Sequence, residues 1–175
     1  MSNLIFCCCR VRGAFTSLAL SVAVLLVVSW VAEPARVAAA TWGKIEPLKS
    51  RRVDVERELG APLREALDES AALHFKVAGG TVTVMFVNAK FVATKKLSTD
   101  LEGTVLQIVL QHENSSATPD SLALTGNKNF EREEKASVTH YRNLKDGLAY
   151  TFINGKLVTS RYSLSATQLT TAQGK

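Results

Sequence analysis

Apolar and polar residues alternate over Leu73–Val77, where Leu73, Phe75 and Val77 are separated by His74 and Lys76. After Ala78-Gly79-Gly80 the alternation resumes with Val82, Val84 and Phe86. A period of two predicts a β-hairpin with one buried face. Thr104–Gln111 predicts a third strand, with Leu106, Ile108 and Leu110 on one side and Val105 and Val109 on the other. Apolar residues on both sides fit a central or covered strand. Three further strands are predicted over Ser137–Arg142, Leu148–Ile153 and Leu157–Tyr162. Asp146-Gly147 and Asn154-Gly155 supply the turns between them, the second being the preferred pair for a type I′ hairpin.

A helix is predicted upstream, from about Arg51 to Leu59, with Ser50 as N-cap, Gly60 just past its end and Pro62 blocking continuation. Val55 and Leu59 share a face, and Arg52 and Glu56 stand four apart on another. Leu63–Ala72 holds at most a further helical turn or two. Ala89–Gly103 reads as a long link, Glu131–Lys135 as a solvated charged stretch, and Gln168–Lys175 as a frayed polar tail. The expected architecture is α+β: an antiparallel sheet of about five to six strands with one N-terminal helix packed on it.

The first forty residues follow a different pattern. Arg10 and Arg12 precede an uncharged stretch from Gly13 to Ala32, and Pro34 is followed by Ala38-Ala39-Ala40. A basic start, an apolar middle and an Ala-x-Ala end describe a secretory signal peptide. Ala38 and Ala40 are the expected signal-peptidase recognition residues, with Thr41 starting the mature chain. The alternative is an uncleaved membrane anchor at residues 13–32, since that stretch is just long enough to span a bilayer. The domain organisation is therefore a leader at 1–40, one α+β domain at 41–167 and a tail at 168–175.

Composition changes once the leader is set aside. The chain has 175 residues and a net charge of +5, but 135 residues and a charge of +3 remain after position 40. That length suits one domain, and the modest charge gives no reason to expect nucleic acid. Cys7, Cys8 and Cys9 are the only cysteines, so the mature domain folds without disulfides. Three adjacent cysteines do not converge on one tetrahedral ion, and acylation of them applies only if the leader is retained.

Candidate chemistry is sparse. His74, His112 and His140 fall on three separate predicted strands without metal-ligand spacing, and His112 continues the Leu106-Ile108-Leu110 face. No Gly-x-Ser-x-Gly elbow, phosphate-binding glycine loop or dinucleotide fingerprint occurs. No catalytic residue, metal or cofactor is assigned. Asn114-Ser115-Ser116 fits a glycosylation sequon, which matters only in a eukaryotic secretory host. Arg51 and Arg52 sit at the helix start, where the dipole favours acids, and are the candidate partner contacts.

Two stretches carry a resemblance. Trp42-Gly43, followed by Pro47-Leu48-x-Ser50-x-Arg52-x-Asp54-Val55-Glu56-Arg57-x-Leu59-Gly60-x-Pro62, resembles the start of a group of small secreted bacterial proteins. Tyr141-x-Asn143, Asp146-Gly147-Leu148-x-Tyr150 and Gly155-x-x-Val158-x-x-x-Tyr162-Ser163 are similar to the end of the same group. More distantly, the Asp-Val-x-x-x-Leu-Gly-x-Pro run before strands is similar to the envelope module of the outer-membrane assembly lipoprotein BamE (SmpA). The chain lacks that lipoprotein's lipobox cysteine, and Phe91 stands where members of the secreted group often carry a cysteine. The resemblance implies export and an α+β fold and brings no activity with it.

The expected function is that of an exported envelope or secreted module, periplasmic or extracellular, non-catalytic and acting through contacts with a protein partner of the envelope. The alternatives are a hydrolase-type enzyme with a site assembled from separated strands, and a weak polyanion-binding domain using Lys49, Arg51 and Arg52.

Overall fold

A computed structural model describes residues 40–63 and 72–174. Seven strands pair in one antiparallel sheet: β1 (Leu73–Val77), β2 (Gly80–Phe86), β3 (Val105–His112), β4 (Glu131–Lys135), β5 (Val138–Asn143), β6 (Leu148–Ile153) and β7 (Lys156–Ser163). Their spatial order is β1-β2-β3-β7-β6-β5-β4. Two meanders thus meet where β3 pairs β7, over Gln107↔Ser163 to Gln111↔Thr159. β4 lies at the far edge, so the link from β3 must cross three strands to reach it. Residues 113–130 make that crossing over one face of the sheet, where Ala117, Leu124 and Phe130 pack on Tyr141, Tyr150, Phe152 and Leu157.

Antiparallel partners project to the same side, so the registers divide the sheet into two faces. One face carries Leu73, Phe75, Val82, Val84, Ile108 and Leu110, which are all buried. Helix α1 (Arg52–Leu59) covers this half through Val55, together with Ile45 from the lead-in; Trp42 and Leu59 pack at the margin. The crossing link covers the other half of the same face. On the second face, with Thr83, Val109, Arg161 and Ala149 along one row and Gln111, Thr159, Thr151 and His140 along the next, no residue is buried.

The α+β class and the antiparallel sheet stand, but the sheet has seven strands rather than five or six. The addition is β4, the segment expected to be solvated charge. All five of its residues are exposed, so no apolar alternation marks it, and backbone pairing to β5 makes it a strand. The single expected helix becomes three among the described residues. The link after β2 folds as α2 (Ala89–Lys95), capped by the Asn88 side chain, which accepts the Phe91 N–H at 2.8 Å. A short 3-10 turn, Thr99–Leu101, follows.

The tail expected to fray forms α3 (Ala166–Ala172). Ser165 accepts the Gln168 N–H, and Gln168 Oε1 accepts the Ser165 N–H in return, a reciprocal cap. The Gln168 amide also reaches Pro47 O at 3.2 Å, and the Gln173 amide reaches Lys95 O at 2.7 Å. These bonds tie α3 to the lead-in and to α2.

The start of α1 also differs from expectation. Arg51, not Ser50, is the capping residue, and its N–H donates to Asp54 Oδ2 at 2.9 Å. Ser50 is buried, and its hydroxyl accepts the Glu46 N–H. Gly60, with φ of +83°, ends the helix as expected. Asn154 and Gly155 both have positive φ, as a type I′ turn requires. The helical turn expected within Leu63–Ala72 and the leader fall almost wholly outside the described residues.

Candidate functional site

The covered face of the sheet carries two apolar clusters, and a strip of polar side chains lies between them. Leu110 pairs with Ser160 and Ser160 pairs with Tyr150, which puts Ser160 at the centre of that face. Two positions beyond Leu110 on the same face is His112, whose Nε2 lies 2.9 Å from Ser160 Oγ. Two positions beyond Ser160 is Tyr162, opposite Leu148 and beside Tyr150. Two polar pairs, His112–Ser160 and Tyr150–Tyr162, therefore follow one another along this strip on β3, β6 and β7.

Burial sets the electrostatics of this strip. It lowers the His112 pKa below the usual imidazole value, because a charged ring would lose hydration there. It raises Tyr150, against a smaller downward pull from its hydrogen bond with Tyr162. Tyr162 is pushed up to about 12 by burial first, then by the charge and hydrogen bond of Tyr150. At neutral pH the histidine favours its neutral form and both phenols keep their protons.

A cleft of about 600 Å³ opens beside His112, lined also by Ser115, Ser116, Thr118, Lys156 and Leu157. Its outer wall is the start of the crossing link, pinned by the bond from Leu157 N–H to Ala117 O at 3.1 Å. An imidazole at 2.9 Å from a hydroxyl has the spacing of a base–nucleophile pair. Ser160 is only 3% exposed, however, and no carboxylate bonds the His112 ring among the described residues. The pair thus satisfies two polar groups inside the fold, with the imidazole at the cleft wall.

The other histidines do not join it. His74 Nδ1 lies 3.0 Å from Thr83 Oγ1, and His140 Nδ1 lies 3.0 Å from Thr151 Oγ1, both across strand pairs on the second face. No cluster suited to a metal ion occurs among the described residues.

Arg51 and Arg52 each have a partner within the chain. The Arg51 guanidinium donates to Asp100 O at 2.6 Å and Glu102 O at 3.0 Å, clamping the α1 start to the 3-10 turn. Arg52 Nε pairs with Glu56 Oε1 at 2.8 Å along the helix. Ala38 lies outside the described residues, and Ala40, the first of them, is buried. No helix among the described residues is long and apolar enough to cross a membrane. The sequence reading singled out His112 but not Ser160, although a serine alternating with Val158 and Tyr162 on one strand is the pattern of an inward polar residue.

No protein-family model, no curated protein and no solved structure matches the chain.

Proposed function

We propose that this is an exported module of the cell envelope or its surroundings, non-catalytic, that works by contact with a protein partner. One observation carries the reading: among the described residues, helices and links cover one face of the sheet, and on the other face no residue is buried. That face is broad, with Arg161 exposed near its middle on β7 and the polar Thr83, Gln107 and Gln111 around it. Such a surface suits a partner that hydrogen-bonds and places an acidic group against Arg161. The basic-apolar-alanine order of the leader and the resemblance to small secreted proteins support the exported setting. The test is capture of a partner by the exported protein from envelope extract. Arg161→Glu should weaken capture and leave the circular dichroism spectrum unchanged, and capture indifferent to Arg161→Glu argues against this face.

The His112–Ser160 pair favours a second reading, an acyl-transfer enzyme with Ser160 as nucleophile and His112 as base. It makes a distinct forecast: labelling by a fluorophosphonate, lost in Ser160→Ala and in His112→Gln. Absence of labelling in the native protein removes this second reading.

A further inference from the structure

Strand β4 pairs with β5 on one side and, among the described residues, has no strand on the other. Its sequence, Glu131-Arg132-Glu133-Glu134-Lys135, is the most charged run in the domain, and every residue in it is exposed. Charge on an edge strand ordinarily blocks pairing with another chain. Here the signs are arranged so that one pairing is favoured. If a second copy of the strand is laid antiparallel with Glu133 opposite Glu133, Glu131 faces Lys135 and Arg132 faces Glu134. By symmetry Glu134 then faces Arg132 and Lys135 faces Glu131.

Four of the five cross-strand pairs are opposite in charge. The fifth, Glu133 with its twin, is tempered because each Glu133 carboxylate already accepts Arg142 Nη2 of its own β5 at 2.6 Å. Other registers are poorer. Centring on Arg132 sets it against its twin and Glu131 against Glu133, centring on Glu134 sets it against its twin and keeps two attractive pairs instead of four, and parallel in-register pairing puts every charge beside its twin.

The backbone agrees with the same register. Lys135↔Val138 closes a two-residue turn, which makes it a hydrogen-bonded pair, and bonded pairs then alternate along the hairpin at Glu133↔His140 and Glu131↔Arg142. The N–H and C=O groups of Arg132 and Glu134 therefore point away from β5. These are the two residues that face each other across the proposed junction, and they would exchange four backbone hydrogen bonds. Their present partner is each other, since Arg132 Nη2 bonds Glu134 Oε2 along the strand, so pairing replaces one ion pair per copy with two shared ones.

The geometry points to a symmetric homodimer formed by antiparallel β4–β4 pairing about Glu133, joining two sheets edge to edge. The junction is isologous and closed by a two-fold axis. It uses a strand edge, so it stands apart from the proposed use of the open face, and either can fail without the other.

The mass of the protein, purified after export, is measured in solution by light scattering and sedimentation at low and high salt. The expected result is a concentration-dependent dimer that weakens as salt rises. Arg132→Glu converts two attractive pairs into repulsive ones and should raise the dimer dissociation constant about tenfold or more. Glu134→Arg should do the same. Mixing the two single variants should restore a dimer, since one then presents acids at positions 132 and 134 and the other presents bases. The double variant Arg132→Glu with Glu134→Arg should also dimerise. A protein that stays monomeric at all concentrations overturns the proposal, as does a dimer that ignores the single substitutions.

Discussion

His112 and Tyr162 sit on the same strip of the covered face, and burial acts on them in opposite directions. For His112 the folded pKa is depressed below 6.5. The unfolded chain therefore takes up a proton first as pH falls, and stability is lost progressively from 6.5 downward. For Tyr162 the folded pKa rises from 10.0 to about 12. The unfolded chain releases its proton first, so stability present below 10.0 is lost as pH climbs toward about 12. Urea unfolding across this range should show a plateau with two shoulders. His112→Gln should flatten the acid shoulder, and Tyr162→Phe should reduce the alkaline one, to which Tyr150 also contributes. A stability profile unaltered at both ends by the two substitutions would remove the strip as their cause.

At the scale of elements, α1 is a short helix with an imperfect start, so packing must hold it. Val55 is fully buried and Leu59 lies at the margin of the cluster. Val55→Ala should therefore cost about 2 kcal/mol and Leu59→Ala less, despite the larger side chain removed. Urea melts of the two variants test the order, and a larger loss at Leu59 would place the helix differently. The elements that were legible in the chain are those whose pattern records burial. The alternation around Phe75, Val84 and Ile108 marked β1, β2 and β3, and Asn154-Gly155 marked the β6–β7 turn. β4 was illegible because it buries nothing: its cause is the neighbouring strand, along with the Glu133–Arg142 pair. The short helix α2 depends on the Asn88 cap, and α3 on the Ser165–Gln168 cap with bonds to Pro47 and Lys95. Such long-range partners leave no periodicity behind. The candidate site was half legible for the same reason: His112 followed the apolar face of its own strand, whereas Ser160 became its partner only through the β3–β7 junction.

That junction governs the whole molecule. It joins a β1–β2–β3 half under α1 to a β7–β6–β5–β4 half under the crossing link, and the apolar cluster of each half is separate. Two clusters pose the case of two independently melting bodies, but neither half is complete alone. Separating them would expose the edges of β3 and β7, which share five register pairs, and would leave Ser160 and His112 without each other. It would also strip the buried sides of Leu110 and Ile108. Each buried polar group left unpaired costs about 1–3 kcal/mol, a large share of the roughly 5–15 kcal/mol by which a whole domain is stable. The sheet should therefore unfold in one transition. In a Trp30→Phe, Tyr162→Phe background two probes follow the halves separately: Trp42 fluorescence reports the cluster beneath α1, and the near-ultraviolet tyrosine signal of Tyr150 and Tyr141, the latter packed edge-on against Phe152 at 5.7 Å, reports the other. Phe75→Ala and Phe152→Ala remove a fully buried ring from one cluster each, at about 3–5 kcal/mol. Each substitution should shift both probes together and by the same amount. A Phe152→Ala protein whose tyrosine signal melts early while Trp42 holds its native transition would show instead that the β3–β7 junction joins two folding units.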